Sequence, residues 1–193
     1  MTETSLPQRG SGAIRWVRRR WPSIAGALVA AGTVLGLSYG SQAASVVAAS
    51  GFVYLAAAAT GHRMMAWPAF GVTFVLVGLG LALPGFNAVI WICVAAVPLL
   101  VYGVFNAGWL PVWSLPLQAA AMLILAAAAL LAVQSGHVVG GIIVSAALFA
   151  HAAWDVWHHR TGRVVLGSLS EFCGVLDVVA GAGILALTLT MTL

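Results

Sequence analysis

Long apolar runs, divided by polar breaks of only a few residues, leave this chain few folds to choose from. They cover approximately residues 22–40, 43–60, 66–83, 87–106, 114–133, 137–159 and 170–193. A stretch of ~20 apolar residues is the length that crosses a bilayer core as a helix. Within lipid the backbone must satisfy its own hydrogen bonds, which leaves helices or closed barrels. The runs are continuous rather than alternating, so helices are expected. The breaks are turn formers or polar clusters: Gly61-His62-Arg63, Pro84-Gly85, the stretch from Gly108 to Trp113, Gln134-Ser135-Gly136, and the ten-residue connection from Arg160 to Leu169. Composition agrees, with 62% apolar and 6% charged residues, against about 25% charged in soluble domains. The expectation is an all-α integral membrane protein, a seven-transmembrane-helix bundle forming one domain over 22–193 behind a basic segment, 1–21.

Residues 1–14 are polar and read as unstructured. Arg15, Arg18, Arg19 and Arg20 then precede the first apolar run, a pattern shared with signal peptides, and Ser41-Gln42-Ala43 has the small residues of a cleavage site. The run exceeds the ~7–15 residues of a signal core, which favours a first membrane helix. Gly32, Gly36 and Gly40 would give that helix a smooth face for close packing or homo-oligomer formation.

All eight basic residues are arginine. The lack of lysine excludes a retinal Schiff base, a P-loop lysine and any lysine nucleophile. With the N-terminus inside and seven crossings, Arg9, Arg15, Arg18, Arg19, Arg20, Arg63, Arg160 and Arg163 all fall on the inner side, as the positive-inside rule requires. Trp16, Trp21, Trp67, Trp109, Trp113, Trp154 and Trp157 fall at the same interface, and Trp91 at the other. The basic charge thus belongs to a membrane face, with no nucleic-acid footprint. The C-terminus is expected outside, and the location is a cell inner membrane. Cys93 and Cys173 fall near opposite faces, too far apart for a disulfide.

Only four acids and five histidines occur in the chain. One acid and three histidines lie in His151-Ala-Ala-Trp154-Asp155-Val-Trp157-His158-His159-Arg160. On a helix His151, Asp155 and His158 share one face at i, i+4 and i+7. Counting back from Arg160 at 1.5 Å per residue puts His151 roughly 13 Å and Asp155 roughly 7 Å inside the membrane end. Asp177, on the next helix, lies roughly 10 Å deep by the same arithmetic, so His151 and Asp177 can meet. Ionisable groups within a span are costly and point to a function. Two imidazoles and a carboxylate suit Zn²⁺ or Fe²⁺. The expected ligands are His151, Asp155 and His158, with Asp177 as the catalytic base or ligand-orienting group and His62 as a substitute ligand. The spacing is not an HExxH motif.

Plainer readings stand beside this one. His158-His159-Arg160 and His62-Arg63 suit an interfacial helix end, and His137 a solvated one. Ser168-x-x-Glu171 has the form of a capping box. The best functional expectation is a small metal-dependent membrane enzyme acting on a lipid-like substrate. The alternatives are a proton- or metal-ion-coupled transporter using the same residues, a haem protein with His151 as axial ligand, and an accessory subunit whose polar cluster locks helices together. In outline, seven spans with a His/Asp cluster toward the cytoplasm resemble the seven-helix zinc hydrolases of the ceramidase and adiponectin-receptor type. That resemblance concerns architecture and implies a membrane metal hydrolase; no residue is carried across from it.

Overall fold

Each apolar run carries one helix. The computed structural model describes residues 10–108 and 110–191, so Arg9 and Trp109 lie outside the described residues. Among the described residues there are seven α-helices: α1 Gly10–Leu35, α2 Ala44–Thr60, α3 Ala66–Ala82, α4 Ala88–Asn106, α5 Leu115–Gln134, α6 His137–Thr161 and α7 Gly167–Thr190. No strand occurs among the described residues. Six of the helices, α2 to α7, are long and apolar enough to cross a membrane. The chain is a helical membrane bundle.

Only α1 departs clearly from expectation. It begins at Gly10, running through residues expected to be unstructured and through the arginine cluster, and it stops at Leu35. Arg15, Arg18, Arg19 and Arg20 are exposed along it, and arginine is a good helix former. The early end has a local cause. The Gln42 side chain accepts from the backbone N–H of Ser38 and Tyr39, at 2.7 and 3.2 Å, which gives those groups a partner other than the helix.

Helix α2 is the central post and packs against α3, α4 and α5. It is buried from Val47 to Ala59 almost without interruption, as befits a helix apolar on every side. Its small residues permit this: Gly51 receives Met122 of α5, and Ala59 meets Gly103 of α4. Gly61 ends α2 and Gly162 ends α6, each with φ above +60° in the left-handed cap geometry that glycine adopts without strain.

Helix directions follow from neighbouring residues. Asp155 lies beside Gly174 and Gly141 beside Thr188, so α6 and α7 are antiparallel. Gly26 abuts Phe172 while Gly183 abuts Val34, so α1 and α7 are parallel. The start of α1 and the α2–α3, α4–α5 and α6–α7 turns therefore gather at one end. Arg63 donates from Nε and Nη2 to the Val165 carbonyl at 3.0 and 2.8 Å. Arg163 stacks over Trp113 with its guanidinium carbon 5.0 Å from the ring centre. At the opposite end, residues including Gln42, Asn87 and His137 line a vestibule of about 560 Å³. Of the expected glycine face, Gly40 is buried against Ile184, Thr188 and Gly141, whereas Gly32 and Gly36 face outward.

Candidate metal centre

The inward face of α6 presents His151, Asp155 and His158, and α7 brings Asp177 against it. His151, Asp155 and Asp177 are 4%, 0% and 1% exposed. His151 Nδ1 lies 2.8 Å from Asp177 Oδ2 and 3.4 Å from Asp155 Oδ2. Each of the three residues offers a ligand atom within 4.8 Å of the others. Ligand atoms around a tetrahedral Zn²⁺ stand ~3.3 Å apart, given bonds of 2.0–2.2 Å, so a small contraction would bring them onto one ion.

Tyr54, from the middle of α2, completes the cluster. Its hydroxyl donates to Asp155 Oδ1 at 2.5 Å, and its ring meets the His151 imidazole edge-on at 5.4 Å. Asp155 Oδ2 and Asp177 Oδ1 are buried without a hydrogen bond. Two buried carboxylates face one imidazole, an arrangement that calls for a cation or proton, because buried charge is costly unless paired. The orphaned oxygens and the donor chemistry both fit a divalent ion.

His158 stands a turn further along α6 and is not one of these three. Its Nδ1 donates to the Trp154 carbonyl at 3.0 Å, and its Nε2 accepts from Gln118 Nε2 at 3.2 Å. Both ring nitrogens are thus engaged. Gln118, on α5, also donates to the Trp113 carbonyl at 3.2 Å. His158 is linked to the cluster through Tyr54, with ring centres 4.7 Å apart. Among the other histidines, His159 bonds the Gly167 carbonyl near the membrane end, while His62 and His137 are exposed at opposite ends of the bundle.

Glu171 has a different role from the expected one. Helix α7 starts at Gly167, and the residue preceding it, Leu166, provides no side-chain cap. Glu171 instead reaches α1, accepting from Ser23 Oγ at 2.5 Å with Arg20 3.6 Å away. The apparent capping box is a clamp between α1 and α7.

Sequence reasoning missed Tyr54 and Gln118. Both are polar residues within apolar runs, and both are almost wholly buried. A large polar side chain in such a run was the available signal, akin to the one that drew attention to Asp177. Comparison with protein-family models, curated proteins and solved structures finds no match. The likeness to seven-helix zinc hydrolases is therefore one of outline alone.

Proposed function

We propose that the protein is a metal-dependent membrane enzyme acting on a lipid-like substrate, crossing a cell inner membrane seven times with its N-terminus inside and its C-terminus outside. The observation that carries this reading is the His151–Asp155–Asp177 group, three buried donors within 4.8 Å with two carboxylate oxygens lacking hydrogen bonds. One nitrogen and two carboxylates suit Zn²⁺ or Fe²⁺, and the added carboxylate extends the range to Mn²⁺. His158 is a positioning residue in this reading, holding α5 to α6 below Tyr54.

A bound divalent cation would supply Lewis acidity and a water acidified enough to serve as nucleophile near neutral pH. The chain's own contributions follow from the contacts. Tyr54 fixes the Asp155 carboxylate through Oδ1, which leaves Oδ2 directed at the site. Asp177 orients His151 through Oδ2, and its Oδ1, which lacks a hydrogen bond, would be the atom it turns to the ion. The helices around the cluster exclude bulk water, which strengthens each of these interactions.

The test is elemental analysis of detergent-purified protein. Wild type should hold about one Zn, Fe or Mn per chain, a His151→Ala/Asp177→Ala double variant none, and His158→Ala the wild-type amount. Absence of metal from the folded wild type would overturn the reading. A proton- or metal-ion-coupled transporter is the second reading, favoured by the polar vestibule of about 560 Å³ at the opposite end of the bundle. Ion flux into liposomes that is lost with Asp177→Asn would establish it. A cluster with neither metal nor flux would be a structural lock between α2, α6 and α7.

A further inference from the structure

The outer faces of α6 and α7 enclose a groove of about 360 Å³ whose two ends differ in character. Its polar end holds His159, Arg160, Ser170 and Glu171, and its apolar end Val175, Val178 and Val179. The polar end lies at the arginine-bearing end of the bundle, and the valines lead toward the bundle's middle. That gradient matches a membrane lipid standing in its own leaflet, headgroup at the interface and chain inward.

Charge narrows the occupant. Glu171 is already engaged by Ser23 and Arg20 of α1. His159 Nδ1 donates to the Gly167 carbonyl at 3.0 Å. Arg160 lines the groove, is exposed and makes no ion pair among the described residues, and a guanidinium is suited to bidentate contact with phosphate. The groove also approaches the metal centre. Gly174 lines it, and a Cβ at that position would sit 3.4 Å from Asp155 Cβ and 3.9 Å from Asp155 Oδ2. Gly174, which has no side chain, thus lies both on the groove and beside the oxygen of Asp155 that lacks a hydrogen bond.

We propose that this groove binds a membrane lipid with an anionic phosphate headgroup and is the substrate cleft of the buried centre, with Arg160 pairing the phosphate and Gly174 as the window toward Asp155. The inference rests on the reading of the cluster as a metal-dependent enzyme site. Substrate enters sideways from the leaflet, so the centre needs no water-filled channel.

Native mass spectrometry of protein released from mixed phosphatidylglycerol and phosphatidylcholine nanodiscs tests this, with metal content measured on the same samples. Two variants at exposed positions leave the cluster intact: Arg160→Gln removes the headgroup partner, and Val178→Trp fills the apolar end. Wild type should retain phosphatidylglycerol in preference to phosphatidylcholine. Arg160→Gln should weaken that retention about tenfold, as expected for loss of a charge-assisted contact, and Val178→Trp should abolish it, both with unchanged metal. Wild-type phosphatidylglycerol retention in both variants, metal present, would overturn the groove and spare the metal centre. Arg160-dependent lipid binding by a wild type devoid of metal would overturn the role as substrate cleft together with the metal reading, leaving a lipid site alone.

Discussion

A buried carboxylate needs each oxygen answered, and Asp155 relies on Tyr54 for one of its two. The Tyr54 hydroxyl is 2.5 Å from Oδ1, while Oδ2 has no hydrogen bond and stands 3.4 Å from His151 Nδ1. Tyr54→Phe keeps the ring against His151 and His158 and deletes only the donor. It should leave Asp155 with neither oxygen hydrogen-bonded, a loss of about 1–3 kcal/mol for a buried group. If Asp155 is a ligand, metal affinity should also fall ~10–100-fold, as is usual when an outer partner of a ligand is removed. Denaturant unfolding in mixed micelles and a metal competition titration read the two effects separately. Wild-type values in both would show that Tyr54 does no more than fill space. The distinction between Tyr54 and His151 also explains what could be read beforehand. His151, Asp155 and Asp177 announce themselves as ionisable groups in apolar runs, two of them a helical turn apart. Tyr54 is 101 residues from Asp155, and no local pattern links the two; only the packing of α2 beside α6 brings them together.

At the scale of helices, close contact is set by where side chains are missing. Gly26 of α1 sits so near the Phe172 carbonyl of α7 that a methyl group there would force the helices apart. Gly32, nearly two turns on, has no atom within 4 Å of an added Cβ. Gly26→Ala should therefore destabilise the docking of α1 by about 1–3 kcal/mol through overpacking. Gly32→Ala should be neutral or stabilise by up to ~1 kcal/mol through helix propensity. The comparison is made by unfolding both variants in the same detergent. A large loss with Gly32→Ala would instead place that glycine in a contact with a second copy of the chain. The positions of six helices were legible because each apolar run ends at glycine, proline or a polar cluster, signals local to the sequence. The extent of α1 was not, since arginine both favours helix and marks the membrane edge, so the edge and the helix end do not coincide. The function of Glu171 was hidden for a similar reason. Its spacing from Ser168 satisfies a local capping pattern, whereas its partner Ser23 lies 148 residues away.

For the whole molecule, the topology turns on whether α1 crosses the membrane with the other six helices. Its charged first half argues against, because Arg15, Arg18, Arg19 and Arg20 cannot enter hydrocarbon cheaply. Its second half argues for: from Trp21 onward it carries no charge and lies parallel to α7, from Gly26 beside Phe172 to Val34 beside Gly183. By Gly40 the chain has reached Thr188 and Ile184, near the end of α7. On the seven-crossing reading proposed above, α1 crosses beside α7 from about Trp21, its arginines standing at the interface with Arg63, Arg160 and Arg163. On that reading the positive-inside rule would put that end in the cytoplasm. Single cysteines introduced after replacing Cys93 and Cys173 by alanine test this with a membrane-impermeant maleimide. Ser38→Cys and Ser135→Cys, at the vestibule end, should label in intact cells, and Arg163→Cys only after permeabilisation. Labelling of Ser135→Cys but not Ser38→Cys would leave α1 on the inner surface and reduce the count to six. The reverse pattern, Arg163→Cys labelled from outside, would turn the bundle over and move the groove beside Arg160 to the outer leaflet.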